Sequence, residues 1–207
     1  CATIFPKWLR CGPLPLKPLT LLVFDTAAAH CAAAILRGDD IVVAQIEPMK
    51  TGQAERLLPL LESLLEQAGL VWADLDGLGV GIGPGNFTGV RLGVAAAKGL
   101  SMALKVPAVG ISSLDMRAAD VGQSEVIVPA TRGQAYAQRF DDGVVQSEIE
   151  MIEVDEPPAT PPINLARMAW LTAQRLAETT SAPAPIYLRP ADAAPGADAP
   201  PRILNAG

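Results

Sequence analysis

Residues 83–93 read GPGNFTGVRLG, and this stretch decides how the rest of the chain is interpreted. It follows a glycine-spaced apolar run at 75–82, which predicts a strand. It leads into residues 88–104, whose small and apolar residues predict a helix capped by Thr88. Its first two glycines suit backbone angles that other residues resist. The stretch therefore predicts a tight strand-to-helix connection.

The start of this predicted helix has a second interpretation. Free backbone N–H groups and the helix dipole at such a position suit phosphate binding. The stretch is not a Walker loop, because no Lys-Ser/Thr pair follows the glycines. A plain connection and a phosphate-binding loop therefore both remain open.

Small residues form a stripe along the same predicted helix. Gly89, Gly93 and Ala97 recur every four residues, so another backbone can approach closely there. Either the chain's own sheet or a partner helix fills this stripe. The leucine-rich helix predicted over residues 51–69 would lie beside it, with Pro59 near the start of its regular part.

Upstream, three apolar runs predict an antiparallel meander. They lie at residues 20–25, 31–36 and 41–47, and the sequence RGDD at 37–40 suits a hairpin turn between the last two. Downstream, the pattern predicts strands at 108–111, 125–128, 134–140 and 144–152, a short helix at 112–119, a helix at 164–178 and a brief extended segment at 186–189. A meander followed by α/β alternation predicts a ribonuclease H-like core.

Composition narrows the class of protein. The chain has 207 residues, of which 50% are hydrophobic, so it can bury one large core or two small lobes. Its net charge of −6 argues against a stand-alone nucleic-acid binder. Fourteen of its 19 prolines lie before residue 19 or after residue 156. Residues 1–18 are therefore predicted to be an extension outside the fold, and residues 191–207 a proline-rich tail.

Cysteine and histidine usage excludes several kinds of site. The three cysteines have no zinc or disulfide spacing, and the single histidine, His30, rules out a pair of imidazoles within this chain. We expect a reducing, cytoplasmic location without a membrane segment, since no uncharged apolar run is long enough to span one. A secretory signal near the amino terminus is a weaker alternative.

Five motifs together resemble one protein family. The stretch at 83–93 resembles GPGSFTGxRIG, a signature of the bacterial TsaB family of tRNA threonylcarbamoyladenosine biosynthesis proteins. Shorter pieces agree with it: LLVFDT at 21–26, GQAERLLPLL at 52–61, VGISSL at 109–114 and YLR at 187–189.

The resemblance implies an actin/Hsp70-like ATPase fold made of two ribonuclease H-like lobes. Here the lobes would be residues 19–112 and a shortened carboxyl-terminal lobe at 113–190. It also implies a non-catalytic subunit that dimerises with a catalytic paralogue, TsaD, is joined by an ATPase subunit, TsaE, and reaches tRNA through that complex. Alone, such a chain is expected to be able to form a homodimer.

Site residues follow from the same resemblance. The partner interface is expected on the two helices of the first lobe, at Leu57, Leu61, Leu64, Gly89, Gly93 and Ala97. Weak ATP or ADP binding, if any, is expected at Asp25, Thr26, Gly83, Gly85 and Thr88. No catalytic residue, metal site or other cofactor is expected.

Two positions depart from the family pattern: Gln53 replaces a usual histidine, and Ala130 stands where Asp is typical. A non-catalytic role is supported by the missing histidine pair, which the catalytic paralogue needs for metal, and by alanines 27–29, which replace the glycine of actin-like ATPases. Their β-carbons would restrict the approach of a phosphate. The main alternative is an ATP-dependent small-molecule kinase or acyltransferase of the same fold, which needs a second metal-holding carboxylate beside Asp25. A metallo-endopeptidase is disfavoured because the histidine pair is missing.

Overall fold

A computed structural model describes residues 17–156 and 160–188 of the chain. The first sheet has five strands in the order β3-β2-β1-β4-β5. They are β1 Thr20–Asp25, β2 His30–Arg37, β3 Asp40–Pro48, β4 Gly77–Gly81 and β5 Ala108–Ile111. The predicted meander is confirmed, because β1, β2 and β3 pair antiparallel while β1, β4 and β5 run parallel. This order, with helices on both faces, is the ribonuclease H-like arrangement of an α/β fold.

Two helices cover one face of this sheet. They are α1, Gln53–Gln67, over β2 and β3, and α2, Phe87–Leu104, over β4. Five leucines of α1 are buried against side chains of β1 and β2: Leu57, Leu60, Leu61, Leu64 and Leu65. The expectation that the regular helix begins near Pro59 is wrong: the helix begins at Gln53, and Pro59 lies inside it on the exposed side.

The amino-terminal cap of α2 also differs from the prediction. Asn86, not Thr88, caps this helix, because the Asn86 Oδ1 accepts a hydrogen bond of 2.9 Å from the Gly89 backbone N–H. Thr88 lies in the first turn with its side chain exposed. The cap therefore falls on the residue just before the first helical one.

The opposite face of the sheet is covered by α3, Leu165–Leu176. The glycines of β4 allow this close packing: a Cβ at Gly79 would lie 2.2 Å from the Thr172 Oγ1, and one at Gly77 would lie 2.5 Å from the Leu176 Cδ1. The spacing of glycines in this strand is therefore explained by a helix that passes very close to it.

A second, four-stranded antiparallel sheet follows the first. Its strands are β6 Gln123–Pro129, β7 Gln134–Asp141, β8 Val144–Val145 and β9 Glu150–Glu153. The single strand expected at 144–152 is therefore two strands, and the helix expected at 112–119 is a short 3₁₀ turn at Asp115–Arg117. This small sheet has a core of its own around Phe140 and Leu114.

Some predictions fall partly or wholly outside the described residues. The tail at 191–207, residues 1–16 of the expected extension, and Arg189 lie outside them. The lobe boundary expected at residues 112 and 113 stays a prediction, although α3, from the expected second lobe, packs on the first sheet. In the part that is described, no helix is long and apolar enough to cross a membrane.

Arg167 links the two sheets. Its side chain, on α3, is almost fully buried. Its Nε donates to the Asp115 carbonyl at 2.6 Å and its Nη2 donates to the Gly143 carbonyl at 2.7 Å, while Nη1 pairs with the Asp120 carboxylate. Gly143 belongs to the turn between β7 and β8, so this one guanidinium ties the second sheet to the helix that covers the first.

Replacing this arginine will test that link. Arg167→Met should lower the free energy of unfolding by about 2–4 kcal/mol, because buried carbonyls lose a charged donor. Arg56→Met is the control: it removes an ion pair of 2.6 Å to Glu47 whose side chains are 39% and 21% exposed, and should lower the free energy of unfolding far less than Arg167→Met does. Urea unfolding measures both. Equal losses in the two variants would contradict the link.

Candidate functional site

The last residue of β1 and the first residue of the loop after it have buried polar side chains. Asp25 is fully buried, and its Oδ2 lies 2.7 Å from the Nε2 of His30 at the start of β2. Its other oxygen, Oδ1, has no hydrogen-bond partner among the described residues. Thr26 is buried as well, and its Oγ1 donates to the Gly89 carbonyl at 2.7 Å.

The glycine-rich stretch is packed directly on this loop. A Cβ at Gly89 would lie 1.9 Å from the Thr26 carbonyl oxygen, and one at Gly85 would lie 2.3 Å from the Ala27 carbonyl oxygen. The Asn86 N–H also donates to that Ala27 carbonyl at 2.6 Å. The two loops in which a phosphate was expected therefore touch each other through their backbones.

The five residues expected to hold a nucleotide do come to one end of the sheet. Asp25, Thr26 and Gly83 are buried there, whereas Gly85 and Thr88 are exposed. Of the two loop glycines, Gly83 has a φ of +83°, as the sequence predicted, while Gly85 is needed for close approach and not for a left-handed backbone. Whether a nucleotide binds them stays a prediction.

The six residues expected at a partner interface lie inside the chain. The leucines Leu57, Leu61 and Leu64 belong to the core beneath α1, and the small residues of α2 face the loop after β1 and the sheet. The prediction that Leu57, Leu61, Leu64, Gly89, Gly93 and Ala97 face a partner is therefore wrong. The small-residue stripe is filled by the chain's own loop and strands, the other alternative that the sequence left open. The outer faces of α1 and α2 carry Leu58 and Met102, which are 47% and 80% exposed.

A cleft of about 1400 Å³ lies beside these loops. Strand residues of both sheets line it, among them His30 and Val128, together with Arg91 of α2 and Arg117 of the 3₁₀ turn. Burial lowers the pKa of Arg117, and the nearby Asp25 carboxylate opposes that shift. Sequence reasoning treated His30 as an isolated residue and did not single out either arginine. Asp25 and His30 flank the turn between two strands of the predicted meander, and this placement was the sequence signal that could have predicted their contact.

Cys31, next to His30, is unsuited to reactions as a thiolate. Burial, with the Glu47 and Asp25 carboxylates, raises its pKa to about 11, against a smaller opposing effect of Arg56. In residues 17–156 and 160–188, there is no group of three or more His, Cys, Asp or Glu side chains that could hold a metal ion.

A protein-family model described as TsaD, tRNA N6-adenosine threonylcarbamoyltransferase, matches residues 47–154, which is about half of the chain. The chain belongs to this family. Within the family, the predicted resemblance to TsaB proteins is confirmed. It is 33% identical over 137 residues to the tRNA threonylcarbamoyladenosine biosynthesis protein TsaB of Bacillus subtilis, and 32% identical over 139 residues to the TsaB of Escherichia coli. Each match covers 63% of this chain and 60% of the relative.

A relative of higher identity is an uncharacterized protein of Mycobacterium tuberculosis, 39% identical over 128 residues, with 60% of this chain and 61% of that protein covered. The chain thus spans about three fifths of the length of the curated relatives that it matches. Among solved structures, a protein of Pseudomonas aeruginosa described as similar to peptidase YeaZ aligns with a TM-score of 0.73 at 22% identity, over 83% of this chain and 100% of that one. The YeaZ structure of the same organism aligns with a TM-score of 0.69 at 22% identity over 82% and 100%. These structures share the fold of the TsaB-like chain.

A pair of glycine substitutions in α2 will test the contact between the loops. Gly89→Ala should lower the free energy of unfolding by about 2–3 kcal/mol, because its Cβ would collide with a backbone carbonyl that cannot rotate away. Gly99→Ala, in the same helix with no atom within 4 Å of its Cβ, should raise it by about 0.5–1 kcal/mol. Thermal and urea unfolding measure both changes. A tolerated Gly89→Ala would show that the contact is loose.

Proposed function

We propose that this chain takes part in the biosynthesis of threonylcarbamoyladenosine on tRNA, as a non-catalytic subunit in the cytoplasm. Family membership supports the pathway. The observation that carries the accessory role is the contact between the two loops at the carboxyl end of the first sheet. Gly85 and Gly89 lie against the backbone of Ala27 and Thr26, where an actin-like ATPase would need space for phosphate.

The alternative, an ATP-dependent kinase or acyltransferase, needs a second carboxylate next to Asp25 to hold a metal. The Asp25 carboxylate instead pairs with His30. We therefore favour the accessory role.

The accessory role requires a partner. The proposed partner is a TsaD-like catalytic paralogue, and the proposed surface is the outer side of α1 and α2, which cover the same face of the sheet. Met102 and Leu58 expose large apolar side chains there, and burying them against another helix pair would remove apolar surface from water. A TsaE-like ATPase would join this pair, tRNA would be bound mainly by the partner, and the same surface would serve a homodimer when the partner is missing.

Charge substitutions on that surface will test the partner. Met102→Glu and Leu58→Glu should each weaken binding to a TsaD-like protein at least about tenfold, since an unpaired carboxylate would be buried. Val121→Glu is the control, because Val121 is 83% exposed on the second sheet's side of the chain. Size-exclusion chromatography and calorimetry of the two proteins measure the effect, and a tRNA modification assay follows its consequence. Undiminished binding by Met102→Glu and Leu58→Glu would exclude this surface.

A nucleotide titration will test the closed loops. Calorimetry of the isolated chain with ATP or ADP and Mg²⁺ should give no binding, or a dissociation constant in the millimolar range, because the loops leave no space between their backbones. Micromolar binding with backbone amide shifts at Thr26 and Gly89, the residues of the loop contact, would contradict the proposal.

A further inference from the structure

The cleft beside the loops differs in charge from the rest of the molecule. The chain has a net charge of −6. Yet the described residues that line the cleft include two arginines and the histidine, and no aspartate or glutamate. A cleft lined by one sign of charge, with low-dielectric walls, concentrates ions of the opposite sign. The cleft is therefore electrostatically suited to an anion.

Arg117 is the more constrained of the two arginines. Its Nη1 donates to the Ser113 carbonyl at 2.6 Å and its Nε donates to the Pro161 carbonyl at 3.1 Å. No carboxylate of the described residues lies within ion-pair distance of it, and Nη2 has no acceptor among them. The guanidinium is thus fixed by two carbonyls, and the described carboxylate that affects its pKa, Asp25, acts from beyond ion-pair distance. A fixed guanidinium with unused donors suits the oxygens of a carboxylate or phosphate.

His30 is held in a similar way. The buried Asp25 carboxylate lies 2.7 Å from its Nε2, which leaves Nδ1 as the ring nitrogen without a partner in the described part of the chain. Asp25 itself does not line the cleft. The imidazole therefore stands between a buried carboxylate and the cleft, in a fixed orientation.

The second arginine of the cleft, Arg91, belongs to an aromatic rim. Its guanidinium carbon lies 3.6 Å from the centroid of the Phe87 ring, and its Nε donates to the Tyr187 hydroxyl at 3.1 Å. This bond holds the segment that forms one wall of the cleft, together with a backbone bond of 2.9 Å from Ile186 N–H to the Ile82 carbonyl. Most other lining side chains are apolar, including Val128, Ile163, Pro161 and Leu188.

From these observations we propose that the cleft is a binding site for an organic anion, in which an apolar or aromatic body carries one carboxylate or phosphate group. Arg117 binds the anionic group, His30 and Arg91 flank it, and the apolar walls take the body of the ligand. This site lies in the open cleft and not in the closed contact between the loops. The proposal is independent of the accessory role and of any partner.

The experiment titrates the full chain with four small probes. Calorimetry and backbone amide chemical shifts are recorded with phenyl phosphate, benzoate, phenol and inorganic phosphate. Phenyl phosphate or benzoate should bind in the micromolar to millimolar range, with shifts at His30, Ala130 and Ile186. Phenol and inorganic phosphate should bind at least about tenfold more weakly, since each lacks one half of the recognised chemistry. Comparing the affinities of phenyl phosphate and benzoate distinguishes a phosphate ligand from a carboxylate ligand.

Variants then assign the binding to the cleft. Arg117→Gln should weaken binding of the anionic probe at least about tenfold. Arg37→Gln, the same change at an exposed residue outside the cleft, should change that affinity by less than about twofold. Arg117→Lys should recover part of the affinity. Arg91→Gln provides a second variant if the loss of the carbonyl contacts unfolds Arg117→Gln, and its expected loss is about three- to tenfold.

Three results would overturn the proposal. They are no binding of either anionic probe, phenol binding as tightly as phenyl phosphate, and equal losses in Arg37→Gln and in the cleft variants. No binding of the anionic probes would exclude the site. Tight phenol binding would mean that the cleft recognises apolar groups and not anions. Equal losses would mean that the variants act only through the net charge of the protein.

Discussion

The close approach of α2 to the loop after β1 determines where much of the rest of the molecule lies. Gly89 and Gly93 bring the first two turns of the helix against Thr26, whose hydroxyl is held by the Gly89 carbonyl. Any side chain at Gly89 would push the helix away from the sheet. Because α2 must also cover β4, this contact fixes the end of the sheet at which the glycine-rich stretch turns, and with it one side of the cleft.

The same contact closes the two loops on each other beside an open cleft. Backbone contact fills the space between the loops, whereas the cleft next to them is lined by Arg91 and Arg117. Glycine thus has two different uses here: Gly83 adopts a left-handed backbone, and Gly85 and Gly89 are required by proximity alone. A glycine-rich loop at a helix start is therefore not in itself evidence of phosphate binding; what matters is which atoms occupy the space that the glycines leave free.

The second sheet depends on the first through α3. All three guanidinium nitrogens of Arg167 donate hydrogen bonds to acceptors around the junction. The glycines of β4 also allow α3 to pack very close to that strand. A small sheet with its own core around Phe140 is in this way attached to a larger one. Residues of both sheets line the cleft, among them Ile46 of β3 and Val128 of β6.

The sequence by itself determined the order of the elements, the meander, the strand-to-helix turn and the family, because local periodicity and short motifs are properties of neighbouring residues. It predicted β1 to the residue. It failed where the outcome depended on distant parts of the chain: Leu57, Leu61, Leu64 and the small residues of α2 carry a pattern that fits a partner helix or the chain's own sheet equally well. Only the tertiary structure decided between them, because burial depends on which surface packs against these residues in the folded chain. The pairing of His30 with Asp25, the lack of a described carboxylate within ion-pair distance of Arg117 and the packing of α3 on the first sheet were decided in the same way, by contacts between residues that lie far apart in the chain or across a turn.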